Sequence, residues 1–276
     1  MYDAIVVGAR CAGSPTAMLL ARQGHRVLLV DRASFPSDTL STHYIHQSGV
    51  ACLECWGLLP QIERSGCPPI RDYTLDIGPF GLTGTPPPAA AVEAAYSPRR
   101  AVLDEILVQA AAAAGAEVRE GFAVEELVTE GERGRRHPRS LARRRRGDRE
   151  EPDRRRRGRT ELARGAPRRR PGLRRVAGAI DAGFSGRQSL ELALARYERR
   201  RNELAGPSFA STVEFARLQP PPAEMQQLLA ALLADQEQAN RFFGTFAGTV
   251  PIPEFFAPAN IARIVGREDD ARAAIA

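Results

Sequence analysis

Apolar and polar positions alternate along this chain in segments that predict an ordered series of elements. Tyr2 to Val7 is a short apolar run that stops at Gly8. Ala12 to Gln23 then carries Ala17, Leu20 and Ala21 on one side at helical spacing and is closed by Gly24. A second apolar run, Arg26 to Val30, ends at Asp31. The order is strand, glycine turn, helix, glycine stop, strand, acid, which predicts a βαβ unit. Gly49 to Leu58 reads as a helix with Val50, Leu53 and Trp56 among its apolar positions. Between Asp72 and Thr85, Tyr73, Leu75 and Ile77 alternate with polar residues and glycines follow, which predicts a small antiparallel sheet, and Pro86-Pro87-Pro88 marks a surface turn.

Leu103, Leu107 and Val108, with Ile106 beside them, form an apolar stripe on a helix that ends at Gly115, before a strand from Ala116 to Arg119. Near the C-terminus, Gln188 or Ser189 opens a helix with Leu190, Leu194 and Tyr197 on one side and a charged surface from Glu198 to Glu203. Beyond Gly206-Pro207 and the break at Pro220-Pro221-Pro222, Met225, Leu228, Leu229, Leu232 and Leu233 make a core-facing stripe on another helix. Phe242, Phe243, Phe246, Phe255 and Phe256 follow in a short span shaped by Pro251, Pro253 and Pro258, and they read as packing more than as a substrate pocket.

Composition changes this picture in one place. The 276 residues are 43% apolar and 26% charged, enough for one or two packed domains. All 39 basic residues are Arg, and the formal charge is +6. From Glu132 to Arg175 there are 20 Arg against 6 acids, a local +14, while the other 19 Arg face 27 acids, leaving −8 for the rest. Four unevenly spaced Cys argue against a disulfide framework and suit a reducing compartment. The start has no signal-like pattern, and no apolar stretch approaches the roughly 18 to 20 residues that span a bilayer. A cytoplasmic protein without a membrane span is the expectation.

The βαβ unit also carries the first candidate chemistry. Gly8 permits the tight turn off the strand, and Gly13 lets the helix approach the sheet. The amides of Arg10, Cys11, Ala12 and Gly13, at the helix N-terminus, lie in a partial positive field suited to a pyrophosphate. Asp31, 23 residues after Gly8, can accept hydrogen bonds from an adenosine ribose, and its carboxylate favours FAD or NAD over NADP. The middle glycine of G-x-G-x-x-G is here Arg10, whose side chain either points away while its amide faces the phosphate or meets the phosphate itself.

Three separated motifs resemble the flavin-dependent monooxygenases and their geranylgeranyl reductase-like relatives. The first is Tyr2 to Arg32, ending in Asp31-Arg32. The second is the run from Phe35 through Thr42 to His43, similar to the family's loop leading to the flavin. The third is Pro98 to Asp104, whose R-x-x-L-D pattern places Arg100 against the cofactor by resemblance. The resemblance also takes in Ala177 to Gly266, as the helices after the cofactor domain. It implies an α/β, Rossmann-like FAD/NAD(P)-binding fold, incomplete here, with a small antiparallel substrate sheet and C-terminal helices. It further implies FAD as cofactor, NAD(P)H as reductant and a small organic substrate. The implied FAD-contacting residues are Gly8, Arg10, Cys11, Ala12, Gly13, Asp31, Arg32, Thr42, His43 and Arg100. No catalytic side chain is nominated.

Other readings carry less. His43 and His46 before Cys52 and Cys55 have zinc-like spacing, but both Cys fall on one helix, so no metal site is assigned. His43 reads equally as a loop residue that caps or is solvated, and Cys11 reads as a buried small residue of the turn.

The Arg-rich stretch contains no Val, Ile or aromatic residue and cannot offset its conformational entropy by burial, so disorder or loose coil is expected over 131–176. That divides the chain into an FAD-binding half over 1–130 with inserted strands around 70–98, the Arg-rich segment, and a helical region over 177–276. Nucleic-acid or polyanion binding by that segment on a degenerate Rossmann scaffold is the alternative, disfavoured by the lack of aromatic residues and regular spacing. A translation in the wrong frame fits better. The Asp-Gly and Gly-Asp motifs that the resemblance leads one to expect are missing, Gly147-Asp148 being flanked by Arg with no strand before it. A non-functional truncated copy of a flavoprotein is a further reading.

Overall fold

A computed structural model describes residues 1–76, 78, 81–126 and 172–273. Most of the Arg-rich segment, Gly147-Asp148 and Ile77 lie outside the described residues, as does the expected disorder of 131–171. The chain forms two compact units, Met1–Thr39 with Leu103–Arg187 and Leu40–Val102 with Gln188–Ala276. This division differs from the linear one drawn from the sequence, because the segment 40–102 folds with the C-terminal helices.

The first unit opens with β1 (Ala4–Val7), α1 (Gly13–Arg22) and β2 (Val27–Val30). β1 pairs in parallel with β2, Ala4 opposite Val27 through Val7 opposite Val30. All four residues of β2, Val27-Leu28-Leu29-Val30, are buried, as a strand in the middle of a parallel sheet requires. In the second unit, α2 (Gln47–Trp56), α3 (Leu59–Arg64), β3 (Tyr73–Asp76) and β4 (Gly81–Gly84) follow. The chain then enters α4 (Arg100–Ala113), and β5 (Glu117–Arg119) completes the three-stranded sheet in the order β1-β2-β5. Beyond β1 the sheet carries no further strand among the described residues, and Ile5 and Val7 are 36% and 59% exposed. The βαβ unit is as the apolar pattern predicts, and the Rossmann-like α/β fold is as the resemblance implies.

α5 (Gly172–Phe184) belongs to the same unit and packs on α1. It starts inside the Arg-rich segment, so the last residues of that segment are helical. Ala177 is buried, His25 Nε2 lies 2.9 Å from Asp181 Oδ1, and the His25 ring meets Phe184 edge-on at 5.4 Å. This packing surface, which the local charge density conceals, is what extends the helix.

In the second unit β3 and β4 form the predicted antiparallel pair, Tyr73 opposite Gly84 and Leu75 opposite Leu82. Its helices continue with α6 (Leu190–Ala216), α7 (Ala223–Leu233), α8 (Gln236–Ala247), α9 (Ile252–Phe255) and α10 (Pro258–Ala273). The core gathers Leu82, Leu228, Leu229, Leu232, Phe242, Phe243, Val250, Phe255 and Ile264. The phenylalanines therefore pack, as expected.

Two helical expectations are corrected. Leu233 is 49% exposed, because α7 ends there and its buried stripe stops at Leu232. α6 runs unbroken through Pro207 and buries Ala193 alone, leaving Leu190 and Leu194 more than a third exposed. Its charged face is laced by Arg200–Glu203 and Arg201–Glu198 pairs, and a proline in so exposed a helix leaves its freed carbonyl open to water.

Candidate cofactor site

The turn between β1 and α1 is built by two glycines and one acid. Gly8 has φ +100°, a left-handed conformation that glycine adopts without penalty, and its N–H donates to Val30 O at 2.8 Å. A Cβ on Gly13 would fall 1.7 Å from Gly8 O and 3.2 Å from Val6 Cγ1, so only glycine lets α1 start this close to the strand. Asp31, 8% exposed, accepts the Ala9 N–H at Oδ2 (2.7 Å) and the Ala33 N–H at Oδ1 (2.8 Å). One carboxylate thus ties the end of β2 to the glycine turn. Two amide bonds leave lone pairs on both oxygens for a further donor.

The Arg10 side chain is engaged by Asp104, Ser37 and Phe35. Its Nη1 donates to Asp104 Oδ2 at 2.6 Å and to Ser37 O at 3.3 Å, its Nη2 to Ser37 Oγ at 3.1 Å, and the guanidinium lies 5.3 Å from the Phe35 ring centre. Asp104 is fully buried, where an unpartnered carboxylate would be costly. Cys11 donates its S–H to Asp104 Oδ1 at 3.4 Å and is exposed, which corrects the reading of it as a buried residue.

Ala12 caps α1 without any side-chain hydrogen bond, and the buried Ser14 Oγ has no partner among the described residues. A helix start that lacks a polar side-chain cap, sits on a glycine cradle no Cβ could share and lies beside a buried acid has the donor set for a dinucleotide. The residues present therefore fit FAD. Gly8, Arg10, Cys11, Ala12, Gly13 and Asp31 come together in this turn, with Arg32 exposed immediately after it.

Thr42, His43 and Arg100 belong to the second unit. Thr42 is exposed, and Arg100 is the first residue of α4 and half-buried. His43 is neither a cap nor freely solvated: its φ is +60°, its N–H donates to Ser41 Oγ at 3.1 Å, and its Nδ1 is buried with no hydrogen-bond partner among the described residues. A bulky side chain in this left-handed region is strained, a condition that tends to gather at functional loops.

Away from the turn, Asp3 and Arg26 bond across the first unit, and the Arg26 side chain, aided by its own backbone N–H, holds the Asp3 carboxyl down at about 2. The residue that sequence reasoning missed is Asp104. It stands in the R-x-x-L-D motif but was given no role, although a carboxylate among Leu103, Leu107 and Val108 on an apolar helix face was the available signal.

A profile of the family described as an FAD binding domain matches residues 1–150, more than half of the chain. The chain belongs to the FAD binding domain family. The match continues past Glu132 into the Arg-rich segment. Squalene monooxygenase of Candida glabrata is 32% identical over 74 residues, 27% of this chain and 15% of that protein. Squalene epoxidase of Saccharomyces cerevisiae is 35% identical over 74 residues, with the same coverage of 27% and 15%. The myxobacterial chondrochloren halogenase, a FAD-dependent enzyme, superimposes with a TM-score of 0.44 at 30% identity, over 47% of this chain and 31% of that one. A flavoprotein/dehydrogenase from Cytophaga hutchinsonii gives 0.43 at 21% identity, over 47% and 32%. This FAD-binding-domain chain thus spans about 15% of the length of the curated relatives it matches.

Proposed function

We propose that this FAD-binding-domain chain is the cofactor-holding part of a cytoplasmic oxidoreductase of the monooxygenase type, which takes reducing equivalents from NAD(P)H and acts on a small organic substrate. The observation that carries the reading is the Gly8–Gly13 cradle closed by Asp31, within a chain whose family is an FAD binding domain. FAD, when bound, supplies the electron-transfer and oxygen chemistry. The chain's own part is positioning. The amides of Arg10 to Gly13 would receive the pyrophosphate at the start of α1, and Asp31 would accept from a ribose hydroxyl while still pinning the turn. Arg10, already neutralised by Asp104, would shape the turn more than add charge to it. Arg32, Thr42, His43 and Arg100 are assigned to the cofactor through the family resemblance. The few and unevenly spaced Cys support the cytoplasmic assignment.

The test is to load the purified chain with FAD and supply NADH or NADPH in turn. Retained flavin that bleaches anaerobically with one of them is the expected result. Retained flavin that neither reduces would remove the NAD(P)H assignment, and failure to retain flavin would remove the function.

We further infer that residues 1–130 are an FAD-binding half interrupted by an out-of-frame Arg-rich segment over 131–176. The missing Asp-Gly and Gly-Asp motifs and the complete absence of Lys support this. Translating the coding DNA of that segment in its other two frames should yield such motifs, and their absence from both would refute it.

A further inference from the structure

In the second unit the proline turn at 86–88 and the start of α8 border a cavity of about 510 Å³. Its walls are set by the close approach of α8 to the chain leaving β4. A Cβ on Gly84 would fall 2.7 Å from Phe243 Cδ2 and 3.0 Å from Asn240 Oδ1, and one on Gly244 would fall 3.0 Å from Pro87 Cδ, so two glycines let this segment lie against the helix. The Thr85 N–H donates to Asn240 Oδ1 at 2.8 Å, and Gln236 Nε2 donates to the same oxygen at 2.9 Å and to Thr83 O at 3.1 Å. Two further lining residues have fixed backbones. Arg71 stands between the Ile70–Ala95 bridge and β3, and Glu93 between that bridge and the one joining Ala89 to Val92.

The lining carries charges of both signs that the fold leaves unmatched. Arg71 makes no hydrogen bond or ion pair among the described residues, and its charge is felt only at the Tyr96 hydroxyl. Glu237 stands four residues before Arg241 on α8, the spacing at which a helix pairs acid with base, but Arg241 Nη2 is drawn to Glu254 Oε1 at 3.2 Å. The Glu237 carboxylate therefore has no partner among the described residues. Glu93 accepts the buried Gln47 Nε2 at its backbone oxygen, at 3.4 Å, and its carboxylate is equally unmatched. Asn240 adds two donors of fixed direction. A backbone N–H can only donate, so the Asn240 oxygen faces Thr85, and its Nδ2 has no hydrogen-bond partner among the described residues. The Thr85 hydroxyl already donates to Asp72 Oδ1 at 2.6 Å. The rings of Pro86, Pro87 and Pro88, from the buried Pro86 to the exposed Pro88, give the cavity a stiff apolar wall.

We propose that this cavity binds a small zwitterion with an apolar body, of the size and chemistry of a dipeptide. Arg71 and the Asn240 Nδ2 group take its carboxylate, Glu237 and Glu93 take its ammonium, and its side chains lie against the prolines. The guanidinium suits the carboxylate because its N–H groups match two oxygens at once. A simple anion would set a further negative charge beside Glu93 and Glu237, and a simple cation would face Arg71, whereas a zwitterion meets both signs. The volume lies in the range of small-molecule sites. All of these residues belong to the second unit and none is assigned to the cofactor, so the test runs without FAD.

The experiment titrates the full chain at pH 7 with L-leucyl-L-leucine, with its N-acetyl derivative and with its C-terminal amide, following binding by broadening of the probe's NMR lines. Hydrogen bonds to charged groups are strong enough that the wild type should bind the free dipeptide about tenfold more tightly than either blocked form. R71Q should bind the dipeptide and its amide equally while still preferring the dipeptide to the N-acetyl form. E93Q/E237Q should do the reverse, losing the discrimination against the N-acetyl form and keeping that against the amide. All three positions are exposed, so the variants should melt close to the wild type. No binding of the dipeptide by the wild type, equal affinity for the three probes, or preferences unchanged in R71Q and in E93Q/E237Q would each overturn the proposal.

Discussion

Arg10 places its Nη1 2.6 Å from Oδ2 of Asp104, across 94 residues of sequence, so the one departure from the glycine fingerprint is held by a buried acid on α4. The arginine that stands at the middle glycine's position is thus tied to a helix far along the chain.

Removing one partner of that pair should cost more than removing both. D104A leaves the Arg10 guanidinium, 28% exposed, without its main partner, and a loss of about 2–4 kcal/mol is expected. R10M/D104L should be less destabilised than the sum of R10M and D104L. Urea unfolding of the four proteins gives the cycle, and additive losses would show the contact to be energetically idle.

Gly13 tolerates no side chain. G13A sets a Cβ at 1.7 Å from Gly8 O, and backbone rather than a flexible side chain must then move. The start of α1 should shift off β1, with a stability loss of about 3 kcal/mol or more and a parallel loss of FAD affinity. A thermal melt with and without FAD checks this, and a variant that melts and binds like the wild type would contradict the cradle geometry.

In the second unit Phe255 is fully buried among Phe242, Phe256 and the α7 leucines. F255A should cost about 3–5 kcal/mol, whereas F215A, on a ring 53% exposed, should cost under about 1 kcal/mol. Denaturant midpoints of the two variants provide the comparison.

Two groups set pH windows of opposite origin. His46 has a folded pKa depressed by burial, so folding favours its neutral form. Stability from this source is intact above its ordinary value of 6.5 and falls as pH drops below it; H46F should flatten that part of the profile. Asp3 is held at about 2 against an ordinary 3.8 by Arg26. Its contribution is present above pH 3.8 and lost on the way to pH 2, and with the pair open to water it should be small. Melting temperatures of D3N and H46F between pH 2 and 8 separate the two.

The parts legible in the sequence were those set by local pattern. Strand, glycine, helix and acid from Tyr2 to Asp31 follow from apolar spacing and turn chemistry, and the β3–β4 pair from the alternation of Tyr73 and Leu75. Long-range polar pairing was not legible. Asp104 finds Arg10, and Tyr73 links His46 to Gln47, only after the chain has folded, and no spacing rule encodes either. α5 shows the converse: its Arg-rich start masked Ala177 and Phe184, whose value depends on α1 being there to cover them. Cys11 is exposed where burial was expected because a small residue in a glycine turn can lie on either side of the backbone.

The central claim is that the turn from Gly8 to Gly13, with Asp31, holds FAD in this chain. The most direct measurement is equilibrium titration of the purified full chain with FAD, followed by quenching of flavin fluorescence, for the wild type, D31A and G13A. The account predicts saturable binding at one flavin per chain, weakened at least tenfold in D31A and abolished in G13A. No saturable binding by the wild type, or equal affinity in all three proteins, would contradict it.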